Sequence, residues 1–209
     1  MKISPAIIKI YDDYFKSFEK KRRIIKASKH TGQLWLIGDI MTAEEKNKDF
    51  SHKGDISGSN VIITETISRI NELMENRVKV IEIHICSGGG EVSAGFTIYD
   101  YLRKTNLPIV TIAYGEVCSM AADLFQIGVI RKMTTLSTLM LHHIQCGVVG
   151  TPEKIARKAE EIKYLDKLSF TLISMRSGIP LKKLEKMSHP LVYFTAADAI
   201  KLNLADEII

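Results

Sequence analysis

The chain has 209 residues, of which 45% are hydrophobic and 25% charged, and a formal net charge of +5. These ordinary values exclude a disordered chain, a collagen-like chain and a small disulfide scaffold. The three cysteines lack CxxC spacing, no apolar run approaches the roughly 20 residues of a membrane span, and the charged N-terminus is unlike a signal peptide. We therefore expect a cytoplasmic protein with reduced thiols and without a zinc knuckle.

The first 32 residues are predicted to form a helical extension. Apolar side chains recur there at helical spacing, at Ile7, Tyr11, Tyr14 and Phe18. The amphipathic helix that they predict needs a partner for its apolar face, in this chain or in another subunit. Residues 16–30 also carry seven lysines or arginines against one glutamate. Because aromatic side chains are not interleaved through this basic patch, a solvated helix face or a partner-docking surface is favoured over nucleic-acid binding.

From residue 33 onward, predicted strands and helices alternate along the chain. Such alternation is typical of an α/β fold with crossover connections. A polar loop is expected at residues 42–58. The predicted strands are 33–40, 78–86, 108–114 and 136–142. Four helices are predicted from residue 59 onward. The first follows a Ser59 cap and buries Ile63, Ile67, Ile70 and Met74. The others span residues 93–104, residues 119–128, and the segment from Thr151-Pro152 to about Gly178.

A run of glycines, Ser87-Gly88-Gly89-Gly90, follows the second predicted strand. Glycine lets the backbone turn sharply and approach a ligand closely. A phosphate is a weak candidate, because the run has neither GxGxxG spacing nor a P-loop lysine. An oxyanion, a peptide laid along the loop as an extra strand, and a tight turn without any ligand all remain open.

Ser119 stands at the next junction, between a predicted strand and a predicted helix. A helix N-terminus offers free N–H groups and positive potential, which stabilise the negative charge that develops beside a serine nucleophile. Serine is also a common helix N-cap, and its position alone favours that structural role. We interpret the neighbouring Cys118 as a small buried hydrophobe, because nothing near it in the sequence is suited to lower its pKa.

Two histidines, His142 and His143, end the strand predicted at residues 136–142. Adjacent residues of a strand point to opposite faces, so the pair cannot easily share one metal ion. One histidine acting as general base to Ser119 is the functional interpretation. A structural core histidine is the alternative.

In this order and spacing, the three elements resemble the proteolytic subunit of the Clp protease (ClpP), over about residues 33–209. The family motifs are SPGGSV, GxAASMG around the nucleophile, VMIHQP around the general base, and a closing alanine-rich acidic stretch that ends in Gly-Leu-Val-Asp or Gly-Leu-Ile-Asp. The matching segments here are residues 87–92, 115–121, 139–142, and 195–199 with 204–206.

The resemblance implies a crotonase-like α/β fold, made of repeated βα units with a handle of one strand and one long helix. Residues 145–150 and the helix from Glu153 would form this handle. The expected domains are the helical extension, residues 1–32, and a ClpP-like peptidase domain, residues 33–209.

The resemblance also implies an ATP-dependent serine endopeptidase that cleaves unfolded polypeptides. Ser119 would be the nucleophile and His142 the general base. The backbone of Gly90 and Met120, together with Gly89, would bind the oxyanion and the substrate.

One position departs from the catalytic pattern of the family. The triad aspartate would fall at Leu191, and leucine cannot accept a hydrogen bond from an imidazole. Residues 188–194 contain no carboxylate. We therefore expect a Ser-His dyad with weakened activity. A catalytically inactive structural ring subunit is the main alternative, and a crotonase-type acyl-CoA enzyme is a remote one.

Assembly is also implied by the resemblance. ClpP proteins stack two seven-membered rings around a chamber, and a partner ATP-dependent unfoldase threads polypeptides into it. We therefore expect a homo-oligomer of stacked heptameric rings, or rings mixed with a paralogue. The subunit itself would need neither a metal nor an organic cofactor, because the unfoldase uses the ATP. Nucleic-acid and membrane partners are not expected.

Overall fold

The computed structural model describes residues 2–42 and 61–209, which form an α/β domain. No helix in these two ranges is long and apolar enough to cross a membrane. The helices are α1 Pro5–Lys16, α2 Phe18–Ala27, α3 Ile63–Glu75, α4 Val92–Lys104, α5 Met120–Phe125, α6 Pro152–Ser177, α7 Leu181–Met187 and α8 Ala196–Lys201. The strands are β1 Thr31–Ile37, β2 Ile40–Met41, β3 Val61–Ile62, β4 Val80–Ser87, β5 Ile109–Cys118, β6 Ile130–Met133, β7 Thr138–His142, β8 Leu191–Thr195 and β9 Glu207–Ile208.

The main sheet has seven strands and is mostly parallel. Its path runs β1-β4-β5-β6-β9, and every pair along it is parallel. β7 pairs in parallel with the last residues of β5, and β8 pairs antiparallel with β7. β2 and β3 form a separate parallel pair. Parallel strands joined through helices match the α/β class that the alternating pattern predicts.

The core lies between the helices and one face of the main sheet. Ile81, Ile83 and Ile85 alternate along β4, are at most 1% exposed, and form one hydrophobic cluster with Ile98 of α4. Branched side chains of this kind suit a strand that is covered on both faces. The opposite face carries a smaller cluster, against which α2 packs: Val80, Val110 and Ile112, with Ile25.

The N-terminal extension forms two helices and packs against the domain. Ser17 separates α1 from α2, and its hydroxyl donates to the Tyr14 carbonyl at 2.6 Å. Tyr14 and Phe18 are each 7% exposed, and the Tyr11 hydroxyl donates to Asp100 Oδ1 at 2.9 Å. The predicted amphipathic segment is confirmed, and its partner lies within this chain.

The basic patch is only in part a solvated helix face. Lys21 is 5% exposed, and its Nζ lies 4.3 Å from the centre of the Tyr14 ring without a hydrogen bond in the described residues. Burial lowers the pKa of this ammonium to about 8. The other lysines and arginines of the patch are half-buried or exposed.

Three predicted strands have clearly different boundaries, among them β5, which continues to Cys118 beyond the predicted end at residue 114. β1 begins at Thr31, inside the extension predicted for residues 1–32, and it ends at Ile37, because Gly38 has a φ of 86° and turns the chain. β7 begins only at Thr138, and the side chain of Leu136 before it is 91% exposed.

The strand β6 is absent from the predicted set, because Arg131 lies at its centre. This side chain is fully buried, and it donates from Nε to Asp206 Oδ2 and from Nη2 to Asp206 Oδ1, each at 3.0 Å. The distant Asp206 carboxylate, together with the side-chain amide oxygens of Gln126 and Asn203, makes an arginine acceptable in this buried strand.

α3 differs from its prediction at its beginning and on one side. Ile62 precedes the helix as its N-cap, and Met74 is 44% exposed, whereas Ile70 is buried as predicted. Ser59 and the loop predicted up to residue 58 lie outside the described residues, apart from Thr42.

The long helix of the predicted handle is confirmed by α6. Thr151 caps it and accepts from the Lys154 N–H at 3.4 Å, and Gly178 ends it with a φ of 77°. The handle strand predicted at residues 145–150 is not formed: the chain leaves the sheet after His142, and no strand in residues 2–42 or 61–209 pairs with this segment.

Candidate active site

Ser119 connects β5 to α5 in a strained backbone conformation. Its φ is 54° and its ψ is −127°, values that few residues other than glycine adopt. Such a residue costs on the order of 1–3 kcal/mol and is characteristic of active sites. Ser119 occupies the N-cap position of α5, as the structural alternative predicts, but its hydroxyl makes no capping hydrogen bond to the helix.

Two of the glycines after β4 pack directly against their surroundings. A side chain on Gly89 would place its Cβ 2.7 Å from Ser119 Cβ, and one on Gly90 would lie 2.1 Å from the Ile40 carbonyl oxygen. Both residues also have positive φ angles, so glycine is required at both. The loop is thus held against Ser119, which favours a functional role over a simple turn.

Hydrogen bonds of this glycine loop distinguish its N–H groups. Ile40 N–H donates to Gly89 O, and Glu91 N–H donates to Ile40 O, each at 2.8 Å. Gly89 N–H donates to Ser87 Oγ at 3.1 Å. In the described part of the chain this pattern engages the Gly89 N–H and includes no bond from the Gly90 N–H, which favours Gly90 over Gly89 as the candidate oxyanion donor.

His142 ends β7 and shares a cavity with Ser119. Both residues line this cavity of about 20 Å³, together with Met120, and the volume corresponds to about one water molecule. No hydrogen bond joins Ser119 to His142 in the described part of the chain. In the antiparallel pair of β7 and β8, the residue opposite His142 is Leu191, which is 44% exposed. The structure thus brings Ser119 and His142 together and places a leucine beside the imidazole.

His143 has a different environment from its neighbour. Its Nδ1 lies 2.7 Å from Asp166 Oδ2, and its Nε2 lies 3.1 Å from the Glu185 carbonyl oxygen. Burial acts to lower the pKa of His143, but the Asp166 carboxylate and the Glu185 carbonyl raise it above its usual value. Both ring nitrogens face acceptors, so His143 is not available as a base, and His142 is the better candidate.

Asp123 is a carboxylic acid that the sequence interpretation missed. It lines the same cavity, is 6% exposed, and accepts a 2.7 Å hydrogen bond at Oδ1 from the Ser169 hydroxyl. Burial, together with the charge of Asp166, raises its pKa to about 7. One signal was available: Asp123 is the only charged residue between residues 117 and 130.

Cys118 is 3% exposed, and burial together with Glu116 raises the pKa of its thiol to about 11. A thiol of this kind is almost entirely protonated at neutral pH and is a poor nucleophile. The interpretation of Cys118 as a buried hydrophobe is confirmed.

Comparison with known proteins identifies the family. A family model described as Clp protease matches residues 56–209, well over half of the chain. The chain belongs to the Clp protease family. This match confirms the resemblance given by the motifs, and together with the mostly parallel sheet it confirms the ClpP-type, crotonase-like fold.

Curated relatives carry names of the same kind. The chain is 31% identical over 137 residues to ATP-dependent Clp protease proteolytic subunit 2 of Thermobifida fusca, covering 65% of this chain and 68% of that one. It is 28% identical over 184 residues to the ATP-dependent Clp protease proteolytic subunit of Borreliella afzelii, covering 86% and 92%. It is 32% identical over 137 residues to proteolytic subunit 1 of Gloeobacter violaceus, covering 65% and 70%. These relatives confirm a ClpP-type peptidase subunit and do not favour an acyl-CoA enzyme or an inactive ring subunit.

Proposed function

We propose that this subunit is a serine endopeptidase that cleaves unfolded polypeptides inside an oligomeric chamber. The observation that carries the proposal is the environment of Ser119. Its backbone is strained, its hydroxyl makes no cap, and it shares a cavity with His142 at the N-terminus of α5. This arrangement is suited to a nucleophile with a neighbouring base.

The proposed reaction is acyl transfer to Ser119. Its Oγ attacks the peptide carbonyl carbon while His142 accepts the hydroxyl proton, and the N–H groups of Gly90 and Met120 stabilise the resulting oxyanion. The Met120 N–H is suited to this role, because the first residues of a helix have no carbonyl of their own helix to bond. His142 then gives its proton to the leaving amine. A water molecule, deprotonated by His142, releases the acyl group and restores Ser119.

We infer that Ser119 and His142 act as a dyad with reduced activity. Leu191 lies opposite His142 and offers no acceptor, and no carboxylate bonds to His142 in the described residues. In serine proteases, replacing the triad aspartate by asparagine lowers turnover by about four orders of magnitude, in part through the wrong tautomer. Leucine offers no competing donor, so the loss here should be smaller. The lack of a carboxylate bonded to His142 in the described residues also favours a second candidate function, an inactive structural subunit.

Oligomeric assembly and ATP dependence follow from the relatives' names, which describe subunits of an ATP-dependent protease. We propose stacked heptameric rings, or rings mixed with a paralogue, served by an ATP-dependent unfoldase that alone binds ATP. Exposed apolar side chains at the handle support assembly through it: Val149 is 91% exposed and Ile155 is 42% exposed. The free cysteines support a cytoplasmic location.

A fluorophosphonate probe tests the proposal directly. The purified oligomer should gain one probe mass per subunit, located on Ser119 by peptide mapping, and should cleave a fluorogenic peptide. Ser119→Ala should prevent both. The matched control Ser68→Ala changes an exposed serine of α3 and should leave both intact. Absence of labelling and of cleavage, with and without an unfoldase, would establish the inactive structural subunit.

A further inference from the structure

One turn of α6 contacts both elements that carry the proposed catalytic residues. Asp166 and Ser169 lie three residues apart on this helix, and therefore on the same side of it. Asp166 reaches the end of β7, and Ser169 reaches α5. No other helical turn in residues 2–42 and 61–209 makes side-chain hydrogen bonds to both regions.

The contact with β7 begins one residue after His142. Asp166 Oδ2 lies 2.7 Å from His143 Nδ1, and Asp166 Oδ1 accepts from the Ile144 N–H at 2.8 Å. The other nitrogen of His143 lies 3.1 Å from the Glu185 carbonyl oxygen, at the end of α7. The sheet no longer holds the chain here, because the β7 ladder ends at His142. A single carboxylate thus fixes the side chain of one residue and the backbone of the next.

The contact with α5 lies one helical turn after Ser119. Ser169 Oγ donates to Asp123 Oδ1 at 2.7 Å, and the Asp123 N–H lies 3.3 Å from the Ser119 carbonyl oxygen. α5 has six residues, too few to be stable without outside contacts. The hydrogen bond to α6 is therefore a specific anchor for the helix whose N-terminus lies at Ser119.

We propose that Asp166 and Ser169 are positioning residues, which hold the end of β7 and α5 so that His142 and Ser119 meet in their shared cavity. Their role in catalysis rests on the proposed function. The hydrogen bonds of Asp166 and Ser169 matter because no hydrogen bond joins Ser119 to His142 within the described residues. A displacement of about 1 Å of β7 or α5 therefore changes how often Ser119 and His142 can form one. Misplacement on this scale can cost about a hundredfold in rate.

Asp166→Asn and Ser169→Ala test the proposal in the assembled protein. Asparagine keeps the size of aspartate but cannot serve both the His143 ring and the Ile144 N–H as acceptor in the same way. We expect kcat for a fluorogenic peptide to fall about tenfold to a hundredfold with Asp166→Asn, and less with Ser169→Ala, while KM changes less than about twofold. The matched controls are Glu72→Gln and Ser68→Ala on α3, where Glu72 forms an exposed pair with Arg69. Both controls should keep the wild-type kcat.

Hydrogen exchange followed by mass spectrometry separates this proposal from the proposed function. In Asp166→Asn, peptides covering residues 140–145 should exchange faster, and in Ser169→Ala so should peptides covering 119–126, while peptides of β4 and α4 stay unchanged. If the wild type takes up no probe and cleaves nothing, the proposed function fails, and the exchange rates alone decide whether α6 holds the two elements. The proposal is overturned if Ser169→Ala, and Asp166→Asn where this variant folds, keep both the wild-type kcat and the wild-type exchange rates. It is equally overturned by faster exchange throughout the domain with kcat and KM impaired together, which indicates a general loss of structure.

Discussion

The two adjacent histidines at the end of β7 have opposite environments. His142 lies in the sheet, lines the cavity with Ser119 and has Leu191 as its cross-strand neighbour. His143 follows the sheet and is held at both ring nitrogens by Asp166 and Glu185. These neighbours in sequence have different environments, because β7 ends between them: His142 is its last residue, and His143 lies beyond it, within reach of α6 and α7. In the proposed mechanism His142 transfers the proton, whereas His143 is held by its hydrogen bonds.

The largest expected difference between the two histidines is in their effect on kcat. His142→Ala should lower kcat by about 10²–10⁴-fold, the usual contribution of general acid–base catalysis, with little change in the midpoint of unfolding. Peptide hydrolysis and urea unfolding of the same preparation measure both quantities. Wild-type kcat in this variant would remove His142 from the mechanism.

Leu191→Asp tests whether activity is limited by the missing carboxylate partner of His142. A carboxylate opposite the imidazole should stabilise the imidazolium formed during the reaction and raise kcat about tenfold. Because Leu191 is 44% exposed, water can solvate the new charge and limit its destabilising effect. Leu191→Asn is the neutral control and should give no increase. An equal effect of both substitutions on kcat would contradict a triad-like role for this position.

His143→Ala should mainly affect stability. It removes the two hydrogen bonds of the ring and leaves Asp166 with the Ile144 N–H alone among the described residues, which should lower the free energy of unfolding by about 1–2 kcal/mol. Any decrease in kcat should be smaller than with His142→Ala and accompanied by faster exchange at residues 140–145. Urea denaturation checks the first expectation. A stable variant with kcat reduced as in His142→Ala would reverse the assignment of the two histidines.

The last expected effect concerns the pH dependence of stability. Asp123 faces Ser169 and Asp166 of α6 and Tyr99 of α4, and its pKa is raised to about 7. A raised pKa means that the folded protein binds the proton more tightly than the unfolded chain. Its contribution to stability is therefore complete below about pH 4 and is lost as the pH rises through about 7. His143 has a pKa raised in the same direction, so its contribution is also lost with rising pH.

Asp123→Asn separates the two contributions. Asparagine can still accept from Ser169 but does not titrate, so the fall in unfolding free energy between about pH 4 and 7 should become shallower. The part that arises from His143, which faces Asp166, Glu185 and the His189 ring, should persist. Urea unfolding at several pH values measures both. An unchanged slope would show that Asp123 does not titrate in this range.

The sequence by itself determined the features that depend on neighbouring residues. The glycine run against Ser119, the capping Thr151 and the terminal Gly178 of α6 follow from local conformational preferences, and the structure contains all three. The alternation of apolar strands and helices predicted the α/β class for the same reason. The catalytic assignments of Ser119 and His142 remain predictions, which their shared cavity supports.

Only the tertiary structure decided which distant residues meet. Asp166 lies 23 positions after His143, and Ser169 lies 46 positions after Asp123, so no local pattern predicts either pair. The buried Arg131 of β6 is paired with Asp206, 75 positions later, and also donates to Asn203, 72 positions later. Hydrophobic periodicity reports which side of an element is buried. It does not report which polar groups find partners there, because that depends on how the elements pack.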